Sequence, residues 1–194
     1  MRKWWKDVNR GIVLLIIAII AVISYLIADT IHNNKEKKVL KEIAAQYTID
    51  SAPLFTTPED FDFFSWNGAY TDSLSEELYS RAKPLDHYYV DNETVRHQEI
   101  DKIQQFFMYY YNQQYCPVSC TKSPGNIEIT QIYNGSATAV VKSVSKIEYI
   151  SSDGSRGVDE RNTTDTLQFL YTGGEWKLVQ VSSDLYGGED YYGL

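Results

Sequence analysis

The 194-residue chain carries 18 basic and 26 acidic side chains, a formal net charge of −8, and the acidity lies beyond its first thirty residues. Arg2, Lys3, Lys6 and Arg10 stand against Asp7 and Asp29, which leaves 14 basic and 24 acidic side chains in residues 30–194. A region this acidic repels phosphate backbones, and no basic stripe interleaved with aromatics offsets it, so direct nucleic-acid binding is disfavoured.

Residues 11–28, GIVLLIIAIIAVISYLIA, hold no charge. At ~1.5 Å per residue they reach ~27 Å, close to the ~30 Å of a bilayer's hydrocarbon core. Trp4 and Trp5 stand where an interfacial aromatic belt would put them, and four basic residues precede the run. The positive-inside bias predicts a single-pass anchor with a cytoplasmic N-terminus and everything after it extracytoplasmic. A cut after Ala28 would place Leu26 where a signal peptidase wants a small residue, so an uncleaved anchor is expected. The organisation read from this is a cytoplasmic tail 1–10, a transmembrane helix 11–29, a stalk 30–38, one domain 39–184 and a flexible glycine-rich tail 185–194.

No Gly or Pro interrupts residues 12–52, so the helix is predicted to run on through Val39, Leu40, Ile43, Ala44 and Tyr47, one apolar face. Thr57-Pro58-Glu59-Asp60 reads as a helix start, with Phe61, Phe64 and Trp66 as its buried side. Ser73-x-x-Glu76 has capping-box spacing and opens a helix through Leu78 and Arg81, ended by Pro84. Residues 84–98 read as loop. From Glu99 to about Tyr115 the apolar positions Ile100, Ile103, Phe107 and Tyr110 recur at helical spacing. Beyond Pro117 the period changes to two. Strands are predicted at 126–133, 136–150, 163–171 and 176–183, joined by Asn134-Gly135, Ser152-Asp153-Gly154 and Thr172-Gly173-Gly174-Glu175. Helices first and a meander afterwards make an α+β domain, with helices packed on one face of a curved four-stranded antiparallel sheet.

A tyrosine-rich helix, two hairpins and the closing pair LQFLYTGGEWKLVQVSS (167–183) resemble the NTF2-like (cystatin-like) superfamily across residues 35–183. Joined to a single anchor and a short cytoplasmic tail, the outline is similar to that of the VirB8/TcpC-like components of conjugation and type IV secretion machines. That resemblance implies a non-enzymatic assembly subunit in the cell envelope. Its partners would be the membrane, through residues 11–28, other envelope proteins and further copies of itself. The match is one of architecture, and no residue motif of that family carries over.

The residues with chemistry to offer are few. Cys116 and Cys120 flank Pro117-Val118-Ser119, and outside the membrane such a pair is expected to close a disulfide, with free thiols as the alternative. A metal site would need more ligands than His87 and His97 add, so no metal and no cofactor are expected. NTF2-like enzymes carry an acid or base in a conical pocket, and here Asp86-His87 and His97 are the bases at hand, in a polar stretch better read as surface. No catalytic residue is therefore assigned. Tyr109, Tyr110, Tyr111 and Tyr115 are candidates for an interface or for the lining of a pocket, although part of that helix must face the core. Two alternatives to the assembly subunit stay open: a pocket-type binder of a small apolar ligand or envelope polymer, and an NTF2-like enzyme.

Overall fold

The computed structural model describes residues 10–66 and 72–186, with residues 10–13, 26–32, 72, 73, 92 and 131 described at the backbone alone. Trp4 and Trp5, residues 1–9 and 187–194 of the expected tails, and 67–71 lie outside the described residues. The chain divides into two compact units, Met1–Val39 and Leu40–Leu194.

The first unit holds the greater part of α1 (Arg10–Asp50). Leu14 to Tyr25 present apolar side chains that are all exposed. Among the described residues no helix is long and apolar enough to cross a membrane. The run of described apolar side chains, 14–25, reaches only ~18 Å. The uncharged sequence 11–28 extends beyond it at both ends, into residues whose side chains are not described.

In the second unit the end of α1 buries Leu40, Ala44 and Tyr47 at helical spacing, as the apolar stripe predicts. The chain then makes a 3-10 turn, Ala52–Phe55, that buries Leu54 and Phe55. The helix expected to start at Thr57 does not form. The Thr57 N–H donates to the Pro117 carbonyl (2.8 Å), and residues 57–66 make successive turns, Phe61 N–H to Pro58 O and Trp66 N–H to Phe63 O. These turns bury Phe63 and Trp66 and leave Phe64, expected on the buried side, exposed.

Helix α2 (Asp72–Ala82) forms where a helix through Leu78 and Arg81 is expected, already including Ser73, and Pro84 enters a 3-10 turn, Lys83–Tyr88, instead of an open loop. Helix α3 (Asn92–Asn112) begins well before Glu99, because the Asp91 carboxylate accepts the Glu93 and Thr94 N–H groups as an N-cap. Its buried stripe is Ile100, Ile103, Phe106, Phe107 and Tyr110. Each such fully buried apolar side chain contributes about 1.5–3 kcal/mol relative to exposure.

Four strands form one antiparallel sheet in the order β1-β2-β3-β4: Tyr115–Tyr133, Ser136–Ser151, Arg156–Thr172 and Glu175–Ser183. The meander is as expected, but β1 and β3 start earlier than their alternating stretches. Asn134 and Gly135 both adopt positive φ (49° and 73°), the conformation a two-residue hairpin requires. Ala139, Val141, Ile147, Leu167, Phe169 and Leu178 are buried on the sheet. Leu185 and Tyr186, expected at the start of the flexible tail, are instead buried in a closing 3-10 turn, Asp184–Tyr186.

Cys116 and Cys120 are free thiols, which corrects the expected disulfide. Pro117 lies inside β1, paired with Tyr149. Their partners on β2, Ile150 and Ile147, stand three residues apart because the pairing shifts between Pro117 and Ser119, which sets the two Cα atoms ~10 Å apart, beyond the ~7 Å a disulfide tolerates. Burial pushes the Cys120 thiol up to about 11, and burial also raises that of Cys116, so both are poor nucleophiles at neutral pH. Alkylation of the native chain is expected to reach Cys116 before Cys120. Mass spectrometry after denaturation without reductant should find both alkylated.

Candidate functional site

The chemistry of the second unit is concentrated inside it. Glu99, on α3, is buried, and hydroxyls from three other segments converge on its carboxylate. Tyr89, just after the 3-10 turn 83–88, donates to Oε2 at 2.6 Å. Tyr186, in the closing turn, donates to Oε1 at 3.0 Å, and Tyr47, near the end of α1, donates to the same oxygen. Burial pushes the Glu99 carboxyl above its usual range, while the three hydroxyls and the Lys122 ammonium pull it back. Tyr47, Tyr89 and Tyr186 are all raised above the ordinary tyrosine value, first by burial and then by the Glu99 charge. Four segments distant in sequence are thereby tied to one carboxyl group.

Beside it lies a buried ion pair. Lys122 of β1 donates to both Asp165 oxygens of β3 at 3.1 Å, and its ammonium sits 4.7 Å from the centre of the Phe55 ring. The sheet continues this polar strip with Ser143, Ser145 and Thr163, whose buried hydroxyls bond one another at 2.8–3.0 Å. Next to these, Tyr110 donates to Asp159 (2.6 Å) and accepts from Arg161 (3.0 Å), whose guanidinium also pairs with Asp159. Tyr110→Phe removes both bonds of this hydroxyl and leaves the Arg161–Asp159 pair in place. A loss of about 1–1.5 kcal/mol in urea unfolding is expected.

The tyrosines singled out from the sequence are occupied in packing. Tyr110 is buried, and Tyr109 meets it edge-on at 5.3 Å. Tyr111 packs edge-on against Phe63 and Trp66, and Tyr115 stacks on Tyr149 at 4.3 Å. His87 and His97 are exposed and separate from Glu99: His87 Nδ1 lies 2.8 Å from the Pro84 carbonyl, and the His97 ring contacts Tyr79. Among the described residues no cluster of three His, Cys, Asp or Glu side chains could hold a metal ion. Sequence reasoning missed Glu99, Lys122 and Asp165, whose only signal was a charged residue falling on the inward period of its helix or strand.

Open clefts lie on the surface among the described residues. One, about 390 Å³, is lined by Pro58, Glu59, Asp60, Phe61, Glu77 and Arg81. Another, about 120 Å³, is lined by Val118, Glu148, Tyr149, Arg156, Gly157 and Val158.

No protein-family model matches the chain. No curated protein matches it either. Among solved structures it is similar to a protein with a cystatin-like fold from Caulobacter vibrioides, at 23% identity over 45% of this chain and 56% of that one, with a TM-score of 0.31. It is also similar to an NTF2-like protein with a cystatin-like fold from Novosphingobium aromaticivorans, at 16% identity over 81% and 86% of the two chains, with a TM-score of 0.40. The chain spans little more than half the length of the first. The likeness is one of fold, helices with an antiparallel sheet in the cystatin-like manner, and says nothing of activity.

Proposed function

We propose that this chain is a membrane-anchored, extracytoplasmic assembly subunit that works through contacts with other proteins and is not an enzyme. The observation that carries the reading is the closed interior. The inward carboxylate of Glu99 already has three hydroxyl donors, Lys122 and Asp165 satisfy each other, and Tyr110 is held by Asp159 and Arg161. Groups so occupied are poor recipients for a substrate, which would have to displace bonds made in a low-dielectric site. The surface is then what the domain has to offer. Anchoring is supported by the uncharged run 11–28 and by the exposed apolar side chains of Leu14–Tyr25 on α1. A domain held at a bilayer meets other membrane components at raised effective concentration. The resemblance to VirB8/TcpC-like components makes a conjugation or type IV secretion machine the assembly to examine first.

In-cell crosslinking followed by capture of the full-length chain tests this. Recovery of a defined set of envelope proteins, with a secretion ATPase or channel subunit among them, is the expected result. A chain that crosslinks to no protein would overturn it.

The pocket-type binder keeps one observation in its favour, the polar strip of Glu99, Lys122, Asp165, Ser143, Ser145 and Thr163 within the domain. A buried carboxyl with a raised pKa is the kind of group found at ligand sites. If that reading held, Glu99→Gln would change ligand retention while leaving the crosslinking pattern intact.

A further inference from the structure

Among the described residues the sheet has three backbone edges, and the chain treats them differently. An unpaired edge invites another strand, so proteins blunt or cover such edges. The outer edge of β1 carries Pro117 and Pro124, has register shifts at three places along its pairing with β2, and receives the Thr57 N–H at Pro117 O. The outer edge of β4 is covered by the bridge from Tyr89 to Leu178 and by Val90 N–H on Leu178 O (2.9 Å). Lys102 Nζ caps Val181 O farther along it (2.8 Å).

The third edge is the first half of β3. Strand β4 pairs with β3 from Asp165 to Thr172 only, and the Asp184 carboxylate takes the Thr164 N–H at 2.8 Å. From Arg156 to Asn162 no described strand lies on that side, while β2 pairs with the same residues on the other side without any register shift. Backbone direction alternates along a strand, so the Thr164 contact fixes the phase: Asn162, Glu160, Val158 and Arg156 aim their N–H and C=O groups at the open side. The side chains of these same residues are exposed, with Val158 at 53%. No proline or bulge interrupts this stretch.

We infer that this edge pairs antiparallel with the same edge of a second copy of the chain, about a two-fold axis at Val158. The inference rests on the protein-contact reading above and names its partner and surface. Charge selects the register. An axis at Val158 sets Val158 against itself and places Arg156 of each copy opposite Glu160 of the other. An axis at Glu160 or Asp159 would set like carboxylates face to face, which is destabilising across an antiparallel pair. The contact is isologous, so it closes as a dimer and does not propagate.

Sedimentation of the full chain in detergent micelles tests the inference. The wild-type chain is expected to be a dimer. Val158→Pro removes an N–H that has no partner in one copy, so the fold and its circular dichroism should persist while the dimer is lost. Arg156→Glu and Glu160→Arg should each weaken the dimer about tenfold. An equimolar mixture of the two should regain wild-type affinity, because both charge pairs reform between the unlike chains. A monomeric wild-type chain, a Val158→Pro dimer, or a mixture no tighter than its components would each overturn the inference. Val158→Pro chains that sediment as monomers yet still capture other envelope proteins uphold both this surface and the assembly role. Dimers that capture no other protein overturn the assembly role and leave the edge pairing standing.

Discussion

Glu99→Ala is expected to be among the most destabilising single substitutions in the chain. It takes the acceptor from the hydroxyls of Tyr47, Tyr89 and Tyr186 and leaves a void among them. Each orphaned buried hydroxyl costs about 1–3 kcal/mol, and partial relaxation holds the total to about 3–5 kcal/mol. Against a usual stability of about 5–15 kcal/mol, that is enough to leave a large unfolded fraction near 37 °C. Glu99→Gln keeps one carbonyl acceptor and should cost less than half as much, measured by urea unfolding followed through tryptophan fluorescence. The pH dependence has a definite sign. Burial raises the Glu99 carboxyl in the folded chain above its ordinary 4.5, so the folded state holds that proton more tightly than the unfolded state does. Its stabilising contribution is complete below the unfolded value and is lost as pH rises through the folded value. Wild type minus Glu99→Gln should therefore show stability falling with pH just above 4.5. At the alkaline end Tyr47, Tyr89 and Tyr186 are raised in the same sense, so stability should fall again as pH passes the ordinary tyrosine value of 10.

Breaking the Lys122–Asp165 pair from one side should be nearly as costly. Both side chains are almost wholly buried, at 2% and 3% exposure, so neither charge can turn to water. Lys122→Met strands the Asp165 carboxylate and also removes a cation that lowers Glu99's pKa. A loss of about 3–5 kcal/mol is expected. The double variant Lys122→Met, Asp165→Leu removes both charges and keeps the volume, and it should regain most of the loss. A double variant no more stable than the single one would mean that the pair's neighbours, and not its charges, set the cost.

Much of this fold was legible in the sequence because the signals were local. Alternation and the Asn134-Gly135 turn predict the meander, and the stripe through Leu40, Ala44 and Tyr47 predicts the buried face at the end of α1. The errors arose where a distant partner decides. Thr57-Pro58 has the chemistry of a helix start, yet Pro117 of β1 claims the Thr57 N–H and the segment stays irregular. Residues 84–98 read as loop because their side chains are mostly polar, yet the Asp91 carboxylate caps α3 and starts it at Asn92. The disulfide expectation rests on closeness in sequence, whereas the sheet keeps Cys116 and Cys120 along one strand and apart. The interior cluster was least legible, since Tyr47, Tyr89, Glu99 and Tyr186 span 140 positions and no short-range spacing links them.

Native mass spectrometry of the full chain released from micelles tests most directly whether the domain acts through its surface or through a pocket. Peaks at integer multiples of the polypeptide mass are expected, identical in adduct content for wild type and Glu99→Gln. A stoichiometric small apolar adduct on wild type that disappears in Glu99→Gln would contradict action through the surface, and the closed carboxyl cluster would then be the collapsed form of a ligand site.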